Sequence, residues 1–509
     1  MNKKNISGYL EKIVHIVFSA VFSVCAFFSL FHFSQYPLLF QHSIVKTILF
    51  AGIAVLIAAA WEYIFKGKTT SGWNRIRIII FCILVLVQVF LFLKVMTPIG
   101  WDVLEVVNSA EYGMYNGDYF AKHPNNLFIQ ILLSGYLRIT GFIPYLSSLR
   151  KLELLNLFFV DAAILMGILA AKKIFGMAAA DRVFIWSFLL IGFHPTLSVV
   201  YSDTLAMPFP IATLLCFVYG MDTKKTGKRA LLFAIGATMG VIGYCIKPTA
   251  IIVEIAICIF LILYKKRDFF KANILLPLLA AISFSLITCG FVYVIEKPVK
   301  QDLQLQYPDA QPRGMLHYMA LGLCGPGETT GGYGCWNETE VAWMQQHIND
   351  SNYKQEAIEH IKSKISQLGP VGYPKHLINK LIWAGSDGTF FYGGEGEFHL
   401  ENQSSTDTLR GKLQNAFYIE TDFYQKWFSN WMQGVWLVIC MKSVLCYFKK
   451  EYNIYNGVAK LSILGLLLFL LLFENRSRYI FLYLPVLLVS IESCKNRYAK
   501  VNDMAQKNC

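Results

Sequence analysis

Twelve stretches of about 20 predominantly apolar residues, the length that crosses the hydrocarbon core of a bilayer, constrain this chain more than any motif in it. They fall at 13–34, 45–65, 77–97, 152–171, 183–200, 204–221, 230–246, 249–264, 273–294, 430–448, 457–473 and 478–493. The 509 residues are 55% hydrophobic and only 16% charged, where ordinary globular chains carry about a quarter charged residues. The expected class is an all-α polytopic membrane protein with about 12 transmembrane helices. The basic N-terminus has no obvious small-residue cleavage site and reads as leading into a retained first span.

A thirteenth segment, Asn125 to Ile139, is apolar but short, and it contains Gln130, Ser134 and Gly135. Charge parity argues against a crossing. With this segment on the surface, six basic groups share one side: Lys66/Lys68/Arg75/Arg77, Lys172/Lys173/Arg182, Lys224/Lys225/Lys228/Arg229, Lys265/Lys266/Arg267/Lys271, Lys449/Lys450 and Lys495/Arg497. A crossing would move three of them, against the positive-inside tendency. An interfacial helix is therefore expected, with both termini cytoplasmic and the chain multi-pass in the cytoplasmic membrane. The net charge of +13 then belongs to scattered loops; it forms no patch for a nucleic-acid partner. On the same topology Asp102, Asp203, Lys247, the insertion 295–429 and Glu474 to Arg478 all face the extracytoplasmic side.

The organisation expected is an N-terminal hairpin (1–76), a membrane module (77–294) with its polar loop at 98–151, an extracytoplasmic insertion (295–429) and the C-terminal spans and tail (430–509). Within the insertion, Gln355 to Ser366 reads as helical between glycine-rich turns, G-P-G-E-T-T-G-G-Y-G and Y-G-G-E-G-E. Most of the twelve cysteines sit in apolar runs as small core residues. Cys324 and Cys335 are the clear pair in the insertion, either bonded in an oxidising exterior or two free thiols. Asn337-Glu338-Thr339 and Asn402-Gln403-Ser404 match the short glycosylation sequon.

The loop from Trp101 to Gly141 carries Asp102, Glu105, Glu111, Asp118, Lys122 and His123 directly after an apolar run, which points to a reaction site at a membrane surface. From W-D…H-P-N-N onward the chain resembles the GT-C glycosyltransferases, which include the protein O-mannosyltransferases and the aminoarabinose transferase of lipid A. The residues that carry the resemblance are Asp102, His123-Pro124-Asn125-Asn126, Tyr201-Ser202-Asp203, K-P-T at Lys247, E-N-R-S-R-Y at Glu474, G-G-Y-G, and W-A-G-S-D-G-T at Trp383. The likeness is to the bacterial Pro-Asn-Asn branch. Two features depart from it: a hairpin precedes the usual first span, and Val103 follows Asp102 where the O-mannosyltransferases have an Asp-Glu doublet.

The resemblance implies transfer of a monosaccharide from a polyprenyl-phosphate donor to a glycan, lipid, teichoic-acid-like polymer or protein acceptor outside the cytoplasmic membrane. Such chemistry needs a carboxylate to take the acceptor's proton. Asp102 fills that role in an inverting displacement, with Glu105 as the fallback; the competing structural role for Asp102 is a helix cap. Asp203, His123, Asn125 and Asn126 are expected to orient the acceptor or, for Asp203, to hold a divalent metal. Each has a competing role as a helix cap. Lys247, Arg476, Arg478 and Tyr479 are expected at the donor phosphate, where cations offset developing charge; the alternative is interfacial anchoring. Asp161 and Glu254 lie within spans, where ionisable groups usually face protein or water. No nucleotide-phosphate glycine loop and no convincing D-x-D occurs. The rival readings are a lipid-linked sugar flippase or transporter, and a non-catalytic glycolipid-binding component.

Overall fold

The computed structural model describes residues 6–31, 41–95, 100–113, 118–263, 274–326, 332–392, 407–449 and 453–493. The basic groups at 265–271 and 495–497, Lys450, the turn at 393–397 and Asn402-Gln403-Ser404 lie outside them. Among the described residues the secondary structure is helical, without strands.

Nine of the twelve apolar runs form helices long and apolar enough to cross a membrane. They include α1 (Ile6–Phe31), α2 (Ile44–Phe65) and α3 (Ser71–Lys94). The other three runs are broken, which corrects the expectation of twelve uniform helices. Residues 183–200 belong to a helix that ends at Ser187, widens into a π-type turn over Phe188–Gly192 and stops before His194-Pro195. The run 249–264 is the short Pro248–Leu263 element. The last run divides into Arg478–Phe481 and Leu484–Ser490, with Pro485 in the first turn of the second piece. Proline lacks an N–H and ends the preceding ladder, and irregular backbone at membrane depth survives only where protein surrounds it. Residues 194–200 and 480–492 are accordingly buried along their whole length. The uninterrupted helix Leu275–Gln306, by contrast, has almost none of its apolar stretch buried.

Two helices set the distance between the ends of the bundle. The helix beginning at Ser202 runs to Asp222, where Asp222 pairs with Lys173; Thr226–Ile246 returns beside it to Lys247. At 1.5 Å per residue the two ends are about 30 Å apart. The Lys173 end also holds Arg77–Asp181 at 2.6 Å and Arg182–Glu492 at 2.6 Å. The other end holds Asp203, Lys247 and the polar loop.

That loop folds as Trp101–Tyr112, a turn at Tyr119–Lys122, and Leu127–Ile139. Leu127–Ile139 buries Leu127, Ile129, Gln130 and Leu133, packs against Trp101–Tyr112, and spans only about 20 Å. It is too short to cross the hydrocarbon core, as the sequence reading expected.

The insertion is not loosely attached. Its helix Tyr353–Gly385 contains the expected 355–366 helix and turns at Gly369, where φ is +68°. Further on, Lys380 is fully buried and donates to the carbonyls of Gly322 (2.8 Å), Leu471 (2.9 Å) and Phe473 (2.7 Å). Leu471 and Phe473 lie at the C-terminal end of the helix Ile454–Leu472, so this ammonium caps a membrane helix from the insertion side. Gly334 is needed beside it: φ is +71°, and a β-carbon would come 2.6 Å from Lys380 Cε. Burial pulls the Lys380 ammonium down to about 7. Replacing Lys380 with Met would leave three carbonyls without their donor and is expected to cost at least ~2 kcal/mol. A thermal-unfolding midpoint equal to the parent's would contradict that role.

Candidate functional site

Segments far apart in the chain meet around a cavity of about 770 Å³. The first wall comes from the polar loop. Gly100, with φ +120°, starts the helix, so Asp102 is its second residue and not its cap. Asp102 and Glu105, about one turn apart, both line the cavity. The Tyr201 hydroxyl donates to Asp102 Oδ2 at 3.4 Å. Asn126 Nδ2 donates to Tyr201 at 3.0 Å and to Tyr119 at 2.6 Å, so the buried Asn126 fixes both phenols. Burial, then the neighbouring Asp102 carboxylate, push the Tyr201 phenol well above its usual range, so it stays a donor. Asp102 forms no ion pair among the described residues. His123 and Asn125 also line this wall, and the His123 ring lies 4.8 Å from that of Tyr119.

The second wall is cationic. Asp203, 4% exposed, pairs with Lys247, and its Oδ2 accepts from Arg478 Nη1 at 3.1 Å. Asp203 does not itself line the cavity; Lys247 and Arg478 do. The Lys247 ammonium stands 3.9 Å from the Tyr479 ring centroid, and the Arg478 guanidinium 5.2 Å from those of both Tyr201 and Tyr479. These faces attract cations. Arg476 pairs with Glu474 at 3.2 Å, and Tyr479 donates to Glu474 at 2.9 Å. Burial alone would raise the Glu474 carboxyl; Arg476, the Tyr479 hydroxyl and Arg478 outweigh it and hold it below its ordinary value.

The insertion clamps the segment that carries these groups. Asn475 N donates to Gly334 O at 2.8 Å, and its side chain donates to Tyr333 O and Lys380 O. Ser477, between the two arginines, donates to Asp387 at 2.9 Å. Asp387 also accepts from Thr389 and from Phe391 N. G-G-Y-G and W-A-G-S-D-G-T therefore work as supports behind the cavity. Cys324 and Cys335 are both thiols: Cys335 donates to Asn475 O at 2.9 Å, and Cys324 lies 3.1 Å from Lys364 Nζ. Asn337 of the sequon caps the helix at Glu338 by accepting from Glu340 N. Asp161 and Glu254 stand apart from this cavity's lining, and Glu254 accepts from Thr213 at 2.9 Å.

The third wall was missed in the sequence. Arg313, His317, Tyr318, Trp336 and Glu338, all from the insertion, face the same cavity. The run Q-P-R-G-M-L-H-Y has no motif spacing, and a short helix (Met315–Leu321) shows no apolar period. His317, Tyr318 and Trp336 do not stand out from the other aromatic and His residues of the insertion, such as Trp343, His360 and His376.

A family model described as "Conserved hypothetical integral membrane protein" matches residues 9–497. The chain belongs to that family. As a member of it, the protein is a multi-pass integral membrane protein, and its broken spans and cavity lie within the matched region. Its sequence finds no match among curated proteins. Two solved structures of ArnT from Cupriavidus metallidurans, one bound to undecaprenyl phosphate and one in the apo state, are similar at 13% identity. They align over 83% of this chain and 78% and 77% of theirs, with TM-scores of 0.36 and 0.35. At that level the likeness carries no argument about the site. Among the described residues no group of three His, Cys, Asp or Glu is placed to hold a metal ion.

The histidines here give this family member a pH dependence. Burial, reinforced by Arg313, lowers both His123 and His317 to about 4. An unfolded histidine titrates near 6.5, so the native state prefers the neutral rings. Their contribution to stability is complete above about pH 6.5 and is lost as pH falls from there towards 4. The unfolding midpoint is expected to drop through that window. A flat profile between pH 7 and 4 would show that these rings are not held neutral.

Proposed function

We propose that this protein is an inverting membrane glycosyltransferase, moving a monosaccharide from a polyprenyl-phosphate donor to an extracytoplasmic envelope acceptor. One observation carries the reading: a carboxylate without a cationic partner, Asp102, faces the same cavity as Lys247, Arg476 and Arg478. In the proposed step Asp102 takes the proton of the acceptor hydroxyl. That oxygen bonds to the anomeric carbon as the bond from the anomeric carbon to the phosphate oxygen breaks. The electron pair leaves with the phosphate, whose charge Lys247 and the two arginines offset.

Asp203 serves in this reading as the counter-ion that holds Lys247 and Arg478 side by side. Tyr201 and Asn126 position Asp102. Glu105 is a second carboxylate on the base's wall, and His123 and Asn125 line the acceptor's approach. Tyr479 shields Lys247. The positive-inside reading of the basic loops supports a cavity on the extracytoplasmic side.

The test is transfer itself. Purified protein is incubated with radiolabelled polyprenyl-phosphate sugars and cell-envelope acceptors. Label appearing in an acceptor supports the reading. Bound donor with no transfer to any acceptor would favour a flippase or a glycolipid-binding component.

A further inference from the structure

His317 is buried to 2% exposure, lines the cavity, and has no hydrogen-bond partner for either ring nitrogen. A buried polar group left unpaired costs stability and is uncommon in native structures. Here both polar atoms of one ring are in that state, in a helix otherwise anchored by Ala320 and Leu321 in the interior. An apolar residue of similar volume would suit the unliganded fold better. The ring is therefore placed for something that enters the cavity.

The character of that ligand follows from the groups around it. A neutral imidazole offers one donor and one acceptor. A hydroxyl matches both; a phosphate oxygen matches only the donor. Three of the cavity's cations, Lys247, Arg476 and Arg478, come from other segments, and the insertion's own Arg313 lies against the Trp336 ring. The insertion also lines this cavity with Trp336, the Arg313 guanidinium 5.4 Å from its ring centroid, and with the Glu338 carboxylate. An aromatic plane next to donors and acceptors fits a ring with one apolar face and a hydroxylated rim.

We propose that His317, with Trp336 and Glu338, forms a subsite for the hydroxylated ring of a sugar. The assignment rests on the transferase reading for which sugar arrives, but the subsite is a binding property and is measured separately. The insertion then selects the sugar, while the membrane segments hold the phosphate.

The experiment uses the full-length protein in lipid nanodiscs. Saturation-transfer NMR is recorded with methyl glycosides of glucose, galactose, mannose, N-acetylglucosamine and arabinose, and undecaprenyl phosphate binding is titrated in parallel. For His317→Leu, the saturation transfer seen with the parent is expected to fall about tenfold, the scale of one lost buried hydrogen-bond partner. His317→Gln, which keeps a donor and an acceptor, should recover part of it. Undecaprenyl phosphate affinity should be unchanged in both, and the unfolding midpoint of His317→Leu should equal or exceed the parent's. Undiminished sugar signals in His317→Leu would overturn the subsite, as would a lowered midpoint with no recovery in His317→Gln. Undecaprenyl phosphate binding with no signal from any glycoside overturns the sugar subsite and leaves the transferase reading standing. Failure to bind either ligand overturns both.

Discussion

Asp102→Asn is expected to leave a folded protein whose transfer rate falls by about 10²–10⁴, the usual contribution of a positioned general base. Asparagine keeps the shape and can still accept from Tyr201, whose hydroxyl lies 3.4 Å from Oδ2. It cannot take a proton. No ion pair among the described residues depends on Asp102, so the unfolding midpoint should stay near the parent's. Donor binding should also persist, because the cations belong to other segments. The measurement is initial rate against donor concentration for both proteins. A loss confined to the apparent Michaelis constant would assign Asp102 to binding. Equal rates would remove it from the mechanism and turn attention to Glu105, on the same wall.

The second large effect is expected at Asp203, and it concerns the fold first. Asp203→Asn leaves Lys247, 7% exposed, and Arg478, whose side chain is 11% exposed, side by side without their shared carboxylate. Removing one partner from a buried ion pair costs about 3–5 kcal/mol, because the remaining charge is desolvated and uncompensated. The loss should appear as a large drop in the unfolding midpoint. Asp203→Asn combined with Lys247→Met removes one of the stranded charges and should restore a substantial part of it. If the single variant is as stable as the parent, the pair is not buried as described. If the double variant is no better than the single, the cost lies elsewhere in the segment.

Much of this arrangement was legible in the sequence because it depends on length and charge, which sequence displays. The short Leu127–Ile139 helix could be set apart from the spans by its length and its Gln130. Asp102, His123, Lys247 and Arg478 could be found because each is a polar residue at the edge of an apolar run. Breaks inside runs were less visible. Pro195 and Pro485 are small perturbations in strongly apolar sequence, and only tertiary packing decides whether a proline bends a helix or ends it. Asp203 was expected beside an acceptor or metal; its pairing with Lys247 and Arg478 depends on positions 44 and 275 residues away, a relation no local pattern encodes. The third wall escaped for the same reason. Arg313 and Trp336 lie in irregular backbone and His317 in a helix of only seven residues, and nothing periodic connects them to the loop they face.

The carboxylate of Asp203 is shared by partners made at different times. Ribosomes deliver Lys247 soon after Asp203, so those two charges can cancel while much of the chain is still unsynthesised. Arg478 lies 275 residues after Asp203 and arrives much later. Until then that wall carries a neutral couple with little attraction for anionic lipid headgroups; afterwards the same carboxylate balances two cations and one positive charge is left over. On the proposed reading, the wall that would meet the donor phosphate acquires its surplus positive charge only once the segment carrying Arg478 has joined Asp203 and Lys247.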